Sequence, residues 1–317
     1  MNAAPRILVL GAGGTGGYFG GRLVQAGADV TFLVRPARAA LLASHGLRIS
    51  SPLGDAQLQV ATVTADALPA LAAARPFELV MLTCKAYDLD SAVTAIAPAV
   101  GADTTVLPIL NGLLHYDALD ARFGRERVLG GLCFIGAALG ADGEILHLGR
   151  PASITFGLRD GNVDGGVLAR LAAAYAQAGV DHLHAPDITA AQWIKFSFLA
   201  ALAAGTCLMR ASIGAIVATE GGAQFMAALH QECLAVAAAE GHPVPDAEAA
   251  RAREGLTRAG SPVTASMLRD LRAGQPVEAL QIVGDMVHRA HRAGLDVPRL
   301  DAAWAHLQAY AAARATA

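Results

Sequence analysis

Lys85 and Lys195 are the only lysines in a chain of 317 residues whose lysines and arginines together number 24. Where arginine serves almost every need for positive charge, a remaining lysine points to a place that needs a compact, titratable amine. A biased composition that leaves two lysines by chance is the alternative. Lys195 stands in Trp193-Ile-Lys195, ahead of the apolar residues 196–209. A lysine entering an apolar helix is expected to be partly desolvated, which lowers its pKa and suits it to general-acid work near neutral pH. Lys85 and Asn111 each follow an apolar run, residues 77–83 and 104–110. Polar residues just past the C-terminal ends of strands lie at the edge where an open parallel sheet binds ligands. The plainer readings are a surface loop charge for Lys85 and a turn-forming Asn111-Gly112. Farther on, Ser266 and Asp270 are four apart and share a helix face. Glu278 falls in a first helical turn, where a carboxylate also suits the helix dipole.

The strongest local signal is Gly11-x-Gly13-x-x-Gly16 directly after Ile7, Leu8, Val9 and Leu10. Tyr18, Phe19, Leu23 and Val24 then give an apolar helical face. Strand, glycine turn and helix form the context in which this motif binds a dinucleotide. Gly11 permits the tight turn, Gly13 the approach of a pyrophosphate, and Gly16 close helix packing. The turn Gly11, Ala12, Gly13, Gly14, Thr15 and Gly16 would present helix N–H groups to phosphates. NAD binders commonly carry an acid at the end of the second strand, but here that place holds Arg35, with Arg38 close behind. Arginine suits a 2′-phosphate, so NADP(H) is expected over NAD(H). The alternative is a solvated loop charge.

Hydrophobic content of 54%, charged content of 16% and a net charge of −3 describe a well-packed chain, with no reason to expect nucleic acid. Cys84, Cys133, Cys207 and Cys233 form no CxxC pair, which fits a reduced, cytoplasmic protein with buried thiols and no metal site. The N-terminus opens straight into the first strand, so no signal peptide is visible. Residues 196–209 are too few to span a bilayer.

These signals need elements to position them. Helices are expected at 36–42, 67–74, 89–100 and 165–179. Strands are expected at 77–83 and 104–110, with a strand pair over 47–63 turning at 52–55. Strands at 132–139, 144–148 and 152–156 are expected to extend the same sheet in antiparallel fashion, with His147 an ordinary strand histidine. A last short strand covers 180–184, and Ala185-Pro186-Asp187 breaks the chain. Beyond it the pattern is helical: 188–209, 221–241, 246–258 and 298–313. Between these, one helix starts at Ser261 as N-cap with Pro262 first and stops at Gly274, and another runs from Gln275 to Gly294. The expectation is an α/β domain over residues 1–186 and an all-α domain over 187–317. The cleft between two such domains is the default ligand site.

Taken in order, Gly11-Ala-Gly-Gly-Thr-Gly16, Lys85-Ala, Asn111-Gly, Trp193-x-Lys195, Ser266-Met-Leu-Arg-Asp270 and Glu278 with Gly284 resemble the ketopantoate reductases (2-dehydropantoate 2-reductases) over nearly the whole chain. The resemblance implies a Rossmann-type N-terminal domain, an all-α C-terminal domain, and NADPH-dependent reduction of a 2-oxo acid to a 2-hydroxy acid, with 2-dehydropantoate the first candidate. It implies that Lys195 is the general acid, that Glu278 holds substrate and lysine in register, and that Ser266 binds the substrate carboxylate. Asn111 would sit between nicotinamide and substrate, Lys85 would line the cofactor side, and Arg35 would take the 2′-phosphate. The expected partner is a small 2-oxo acid, with no nucleic acid or membrane, and the arrangement is open to a homodimer. The family usually carries asparagines where this chain has Leu199, Ala203 and Val263. Fewer polar partners weaken the hold on a hydroxylated substrate and leave a more apolar 2-oxo acid open. Other readings are a 3-hydroxy acid or opine-type dehydrogenase on the same plan, a non-catalytic NADPH sensor, and an interaction protein with an empty glycine loop.

Overall fold

The computed structural model describes residues 4–160, 162 and 166–315. The chain forms two compact units: Met1–Leu110 with His115–Ile188, and Asn111–Leu114 with Thr189–Ala317. The first unit runs β1 (Ile7–Leu10), α1 (Gly14–Gln25), β2 (Val30–Leu33), α2 (Pro36–His45), β3 (Leu47–Ser50), β4 (Ala56–Leu58), β5 (Ala61–Val63), α3 (Leu68–Ala74), β6 (Leu79–Leu82), α4 (Leu89–Ile96), β7 (Thr105–Pro108), α5 (His115–Phe123), β8 (Gly130–Leu139), β9 (Ile145–Gly157), α6 (Val167–Gln177) and β10 (Asp181–His184). The helix start expected at Gly165 lies outside the described residues.

Five strands form a sheet in the order β5-β2-β1-β6-β7, all parallel. Every residue of β2 and β6 is buried, as continuous apolar runs covered on both faces require. The segments expected to extend this sheet instead build a second one. Its order is β10-β9-β3-β4, with β8 on the other edge of β9. The strands expected at 144–148 and 152–156 merge into β9. That strand pairs β8 antiparallel along one edge and pairs β3 and β10 in parallel along the other. His147 of β9 is indeed an ordinary strand histidine: its ring nitrogens meet Ser51 Oγ at 2.8 Å and the Pro151 carbonyl at 3.0 Å.

Helix α1 serves both sheets. A Cβ placed at Gly16 would lie 2.4 Å from the Gly11 carbonyl oxygen, and one at Gly20 would lie 2.9 Å from the Phe32 ring. On another face, a Cβ at Gly17 would meet Ile145 at 2.6 Å, and one at Gly21 would meet Leu47 and Ile49 at 2.8 Å. A glycine costs a helix roughly 1 kcal/mol relative to alanine. Here that cost is accepted because two sheets close onto one helix. Phe19 and Leu23 fill the remaining core with Phe156 and Tyr175.

The second unit contains α7 (Ile188–Met209), α8 (Ile213–Val217), α9 (Gly222–Ala239), α10 (Asp246–Leu256), α11 (Ser266–Arg272), a π-helical turn Leu280–Gly284 leading into α12 (Asp285–Arg292), and α13 (Pro298–Ala315). It has no strand among the described residues. Helix α7 is long and apolar enough to cross a membrane by length and composition alone, because it starts eight residues before the apolar stretch. Its Phe196, Ala200, Ala204 and Cys207 are core residues, packed with Met226, Leu229 and Cys233 of α9.

Two helix starts differ from expectation. The helix expected from Ser261 begins at Ser266, with Ala265 as N-cap. The Ser261 and Val263 carbonyls instead accept from the N–H groups of Gly214 and Ile213, at 2.8 and 3.0 Å, which holds this segment extended against α8. The helix expected from Gln275 takes helical geometry only at Ala279, leaving Glu278 just ahead of it. Helices α5 and α8 were not expected.

Candidate functional site

In the first unit, the C-terminal ends of β2, β1 and β6 lie side by side. Each carries one element expected at a nucleotide site. Gly11, after β1, has φ +91°, a left-handed value that favours glycine. Gly13 is the N-cap of α1 in extended geometry. No side chain caps the helix, and no acid lies in its first turn. A Cβ on Gly13 would meet nothing within 4 Å, so the turn opens onto free space. Uncapped N–H groups under open space suit an anion. Ala12 is buried beneath the turn, Thr15 is half-buried, and a Cβ on Gly14 would come 3.1 Å from Ala137 of β8. Gly16 completes the turn through its contact with Gly11. The three motif glycines therefore have the three different environments that their spacing called for.

Arg35, after β2, has a side chain 84% exposed and lies 3.7 Å from Asp88. Arg38 is committed elsewhere. It donates to the Ala12 carbonyl at 2.8 Å and to the Gly143 carbonyl, at the β8–β9 turn, at 2.7 Å. Burial lowers its pKa, with Arg48 adding to the shift. Lys85 follows β6 at the head of a 3₁₀ turn, Ala86–Asp88, and is half-buried.

The second unit assembles a separate cluster from three distant points of the chain. Lys195 Nζ on α7 donates to Asn111 Oδ1 at 3.3 Å. Asn111 Nδ2 donates to Glu278 Oε2 at 3.4 Å. The amide thus turns its oxygen to the ammonium and its N–H₂ to the carboxylate, the one orientation that satisfies both ends. Glu278 is 4% exposed, so its charge depends on such partners. Both bonds are slightly longer than the usual range of about 2.7–3.2 Å. Ser266 opens α11, half-buried in the same unit, and no hydrogen bond joins it to these three among the described residues.

Lys195, Leu199 and Ala203 are spaced i, i+4 and i+8 and share one face of α7. Leu199 packs on the apolar core and Ala203 is wholly buried. Val263 is 48% exposed. Sequence reading missed the surroundings of Trp193. Its ring lies 5.3 Å from both the Arg289 guanidinium and the His242 ring. Arg289 is paired with Asp285 at 3.0 Å and with Glu240. Burial raises the Asp285 carboxyl pKa, with Arg289 pulling the other way. The i, i+4 spacing of Asp285 and Arg289 was the available signal.

A parallel sheet opened by a glycine turn, followed by a helical unit with a lysine–amide–carboxylate cluster, defines a Rossmann-type α/β unit joined to an all-α unit. The chain belongs to the ketopantoate reductase PanE/ApbA family, a family of oxidoreductases. The family's N-terminal description matches residues 7–161 and its C-terminal description matches residues 187–311. The chain is 36% identical to an uncharacterized oxidoreductase, YkpB, of Bacillus subtilis, over 97% of this chain and 99% of that one. It is 27% identical to a 2-dehydropantoate 2-reductase of Mesorhizobium japonicum, over 98% of each. The crystal structure of 2-dehydropantoate 2-reductase from Methylococcus capsulatus superposes with a TM-score of 0.85 at 30% identity, covering 98% of each chain.

Proposed function

We propose that this protein reduces a 2-oxo acid to the 2-hydroxy acid with NADPH. The observation that carries the reading is Asn111 held between Lys195 and Glu278. The residues at the sheet edge fit the cofactor. Gly11, Ala12, Gly13, Gly14, Thr15 and Gly16 would take the pyrophosphate under the open space at Gly13, Arg35 the 2′-phosphate, and Lys85 the cofactor side. When bound, the reduced nicotinamide supplies hydride to the carbonyl carbon. Lys195 gives the carbonyl oxygen a hydrogen bond and then a proton, and its charge stabilises the oxyanion as it develops. Asn111 fixes the position of the ammonium through its amide oxygen. Glu278 fixes the amide in turn and so holds substrate and lysine in register. Ser266 serves the substrate carboxylate.

2-Dehydropantoate is the first substrate to test. A less polar 2-oxo acid is the second reading, favoured by Leu199 and Ala203 on the lysine's own face of α7. An NADPH-oxidation assay with 2-dehydropantoate, 2-oxoisovalerate, benzoylformate and acetoacetate, repeated with NADH, separates them. Turnover of 2-oxo acids is expected, with NADPH preferred. Turnover of acetoacetate alone, or tight NADPH binding with no turnover at all, would remove the proposal.

A further inference from the structure

We infer that Gly112 is a positioning residue. By letting its backbone lie against the π-helical turn, it sets the place of Asn111 between Lys195 and Glu278. The inference rests on the reductase reading only for its kinetic consequence.

Gly112 has φ +75°, in the left-handed region. A Cβ there would stand 2.1 Å from the carbonyl oxygen of Gln281 and 3.0 Å from its carbonyl carbon. Gln281 is the second residue of the π-helical turn Leu280–Gly284. Such wider turns inside helices are frequent at functional sites. The turn is itself packed against α13: a Cβ on Gly284 would come 2.9 Å from the Trp304 ring. The contact partner of Gly112 is therefore backbone in a packed helix, and it cannot swing aside as a side-chain tip would.

The neighbours of Gly112 are pinned. Asn111 bonds to Lys195 and Glu278, and Leu113 packs on the unit's apolar core. Non-bonded atoms settle near 3.5–4.0 Å, so a Cβ at Gly112 must lift the segment by about 1 Å or more. The Asn111 bonds, at 3.3 and 3.4 Å, have no slack for such a lift. Asparagine–glycine is a common turn pair, but nothing in turn chemistry alone demands this contact. Here the glycine keeps an amide in register with two charged groups.

The chain's asparagines are Asn2, Asn111 and Asn162, so selective ¹⁵N-asparagine labelling gives few side-chain amide pairs. The Asn111→Ala variant assigns the Asn111 pair. Asn162, whose amide bonds the Arg125 and Val128 carbonyls at 2.7 and 3.1 Å, is an internal control. In Gly112→Ala, the Asn111 pair should move toward the position of a solvated amide, with the Asn162 pair unmoved. A loss of roughly 100-fold in kcat is expected, with KM for NADPH unchanged, as for a misplacement of about 1 Å. Asn111→Ala combined with Gly112→Ala should lose no more than Asn111→Ala alone. Unmoved Asn111 signals, or losses that multiply in the double variant, would overturn the inference. If Gly112→Ala does not fold, Gly112→Asn, which tolerates this φ better yet still carries a Cβ, is put through the same kinetic cycle. Failure of both to fold would make Gly112 a folding requirement and would also overturn it. A wild type with no turnover on any oxo acid retires the reductase reading alone, because the amide signals still decide the role of Gly112.

Discussion

Replacing Gly16 by alanine adds one methyl group to a helix, and on an open helix this would stabilise by about 1 kcal/mol. In this protein the methyl carbon would lie 2.4 Å from the Gly11 carbonyl oxygen and 2.3 Å from Thr83 Oγ1. Neither atom yields easily. The first is backbone of the turn, and the second is held by its own hydrogen bond to the Leu10 carbonyl at 2.7 Å. Overpacking of this kind costs about 1–3 kcal/mol, and two contacts this short put the site at the upper end, about 2–3 kcal/mol, so the net loss should be roughly 1–2 kcal/mol after the helix gain. For a unit of this size that lowers Tm by about 2–8 °C. Gly13→Ala is the matched control. Its φ of −86° and ψ of −165° admit alanine, and its Cβ meets nothing. That variant should melt like wild type, yet bind NADPH about tenfold or more weakly, because the methyl stands where a pyrophosphate would meet the backbone. Thermal melts by circular dichroism and titration by nicotinamide fluorescence read the two effects separately. Equal losses of Tm in both variants, or wild-type NADPH affinity in Gly13→Ala, would refute this division of roles.

Three further outcomes are expected. Lys195→Ala should lower kcat by roughly 10²–10⁴ while NADPH affinity holds, and steady-state kinetics in which turnover survives would reject the general-acid role. Arg35→Ser should weaken NADPH much more than NADH; a parallel loss for both nucleotides would show that Arg35 does not contact a 2′-phosphate. His230 is 1% exposed, and burial pushes its pKa down to about 4 from 6.5, with Arg253 adding to the shift. The unfolded chain protonates this imidazole below about pH 6.5 while the folded chain keeps it neutral. Its contribution is therefore intact above that pH and falls by up to roughly 3 kcal/mol as the pH drops to about 4. Urea melts across this range should show a flatter pH dependence for His230→Phe, and identical slopes would exclude the effect.

The features legible in the sequence were those with a local cause. The run from Ile7 to Leu10, the glycine spacing after it, and the placing of Lys85 and Asn111 past apolar strands needed no distant partner to be read. The 22-residue α7 matches its expected span because its breakers lie in the sequence next to it. The second sheet was not legible, because the choice of partner for β9 depends on β3 and β10, far away in the chain. The signal for it lay in Gly17 and Gly21, which give α1 a second bare face beyond the one that the motif explains. Helix α5 could have been found from Tyr116, Leu119 and Phe123, buried at i, i+3 and i+7. Helix α8, with five residues, is too short for any period to show. Ser261 misled because a serine before a proline reads as a cap, while its carbonyl was needed by Gly214. Lys195, Asn111 and Glu278 were named together with Ser266, but that the first three join, with the amide as the middle member, was visible only in three dimensions.

The grip of Arg38 on the Ala12 carbonyl also aims a peptide plane. In a trans peptide the carbonyl and the next N–H point in opposite directions. With the Ala12 oxygen drawn toward the guanidinium at 2.8 Å, the Gly13 N–H is turned away from it. A peptide between an alanine and a glycine could otherwise flip at small cost and present oxygen to an incoming anion. A cation rooted on α2 and braced on the β8–β9 turn thus fixes the polarity of the glycine turn before any nucleotide arrives.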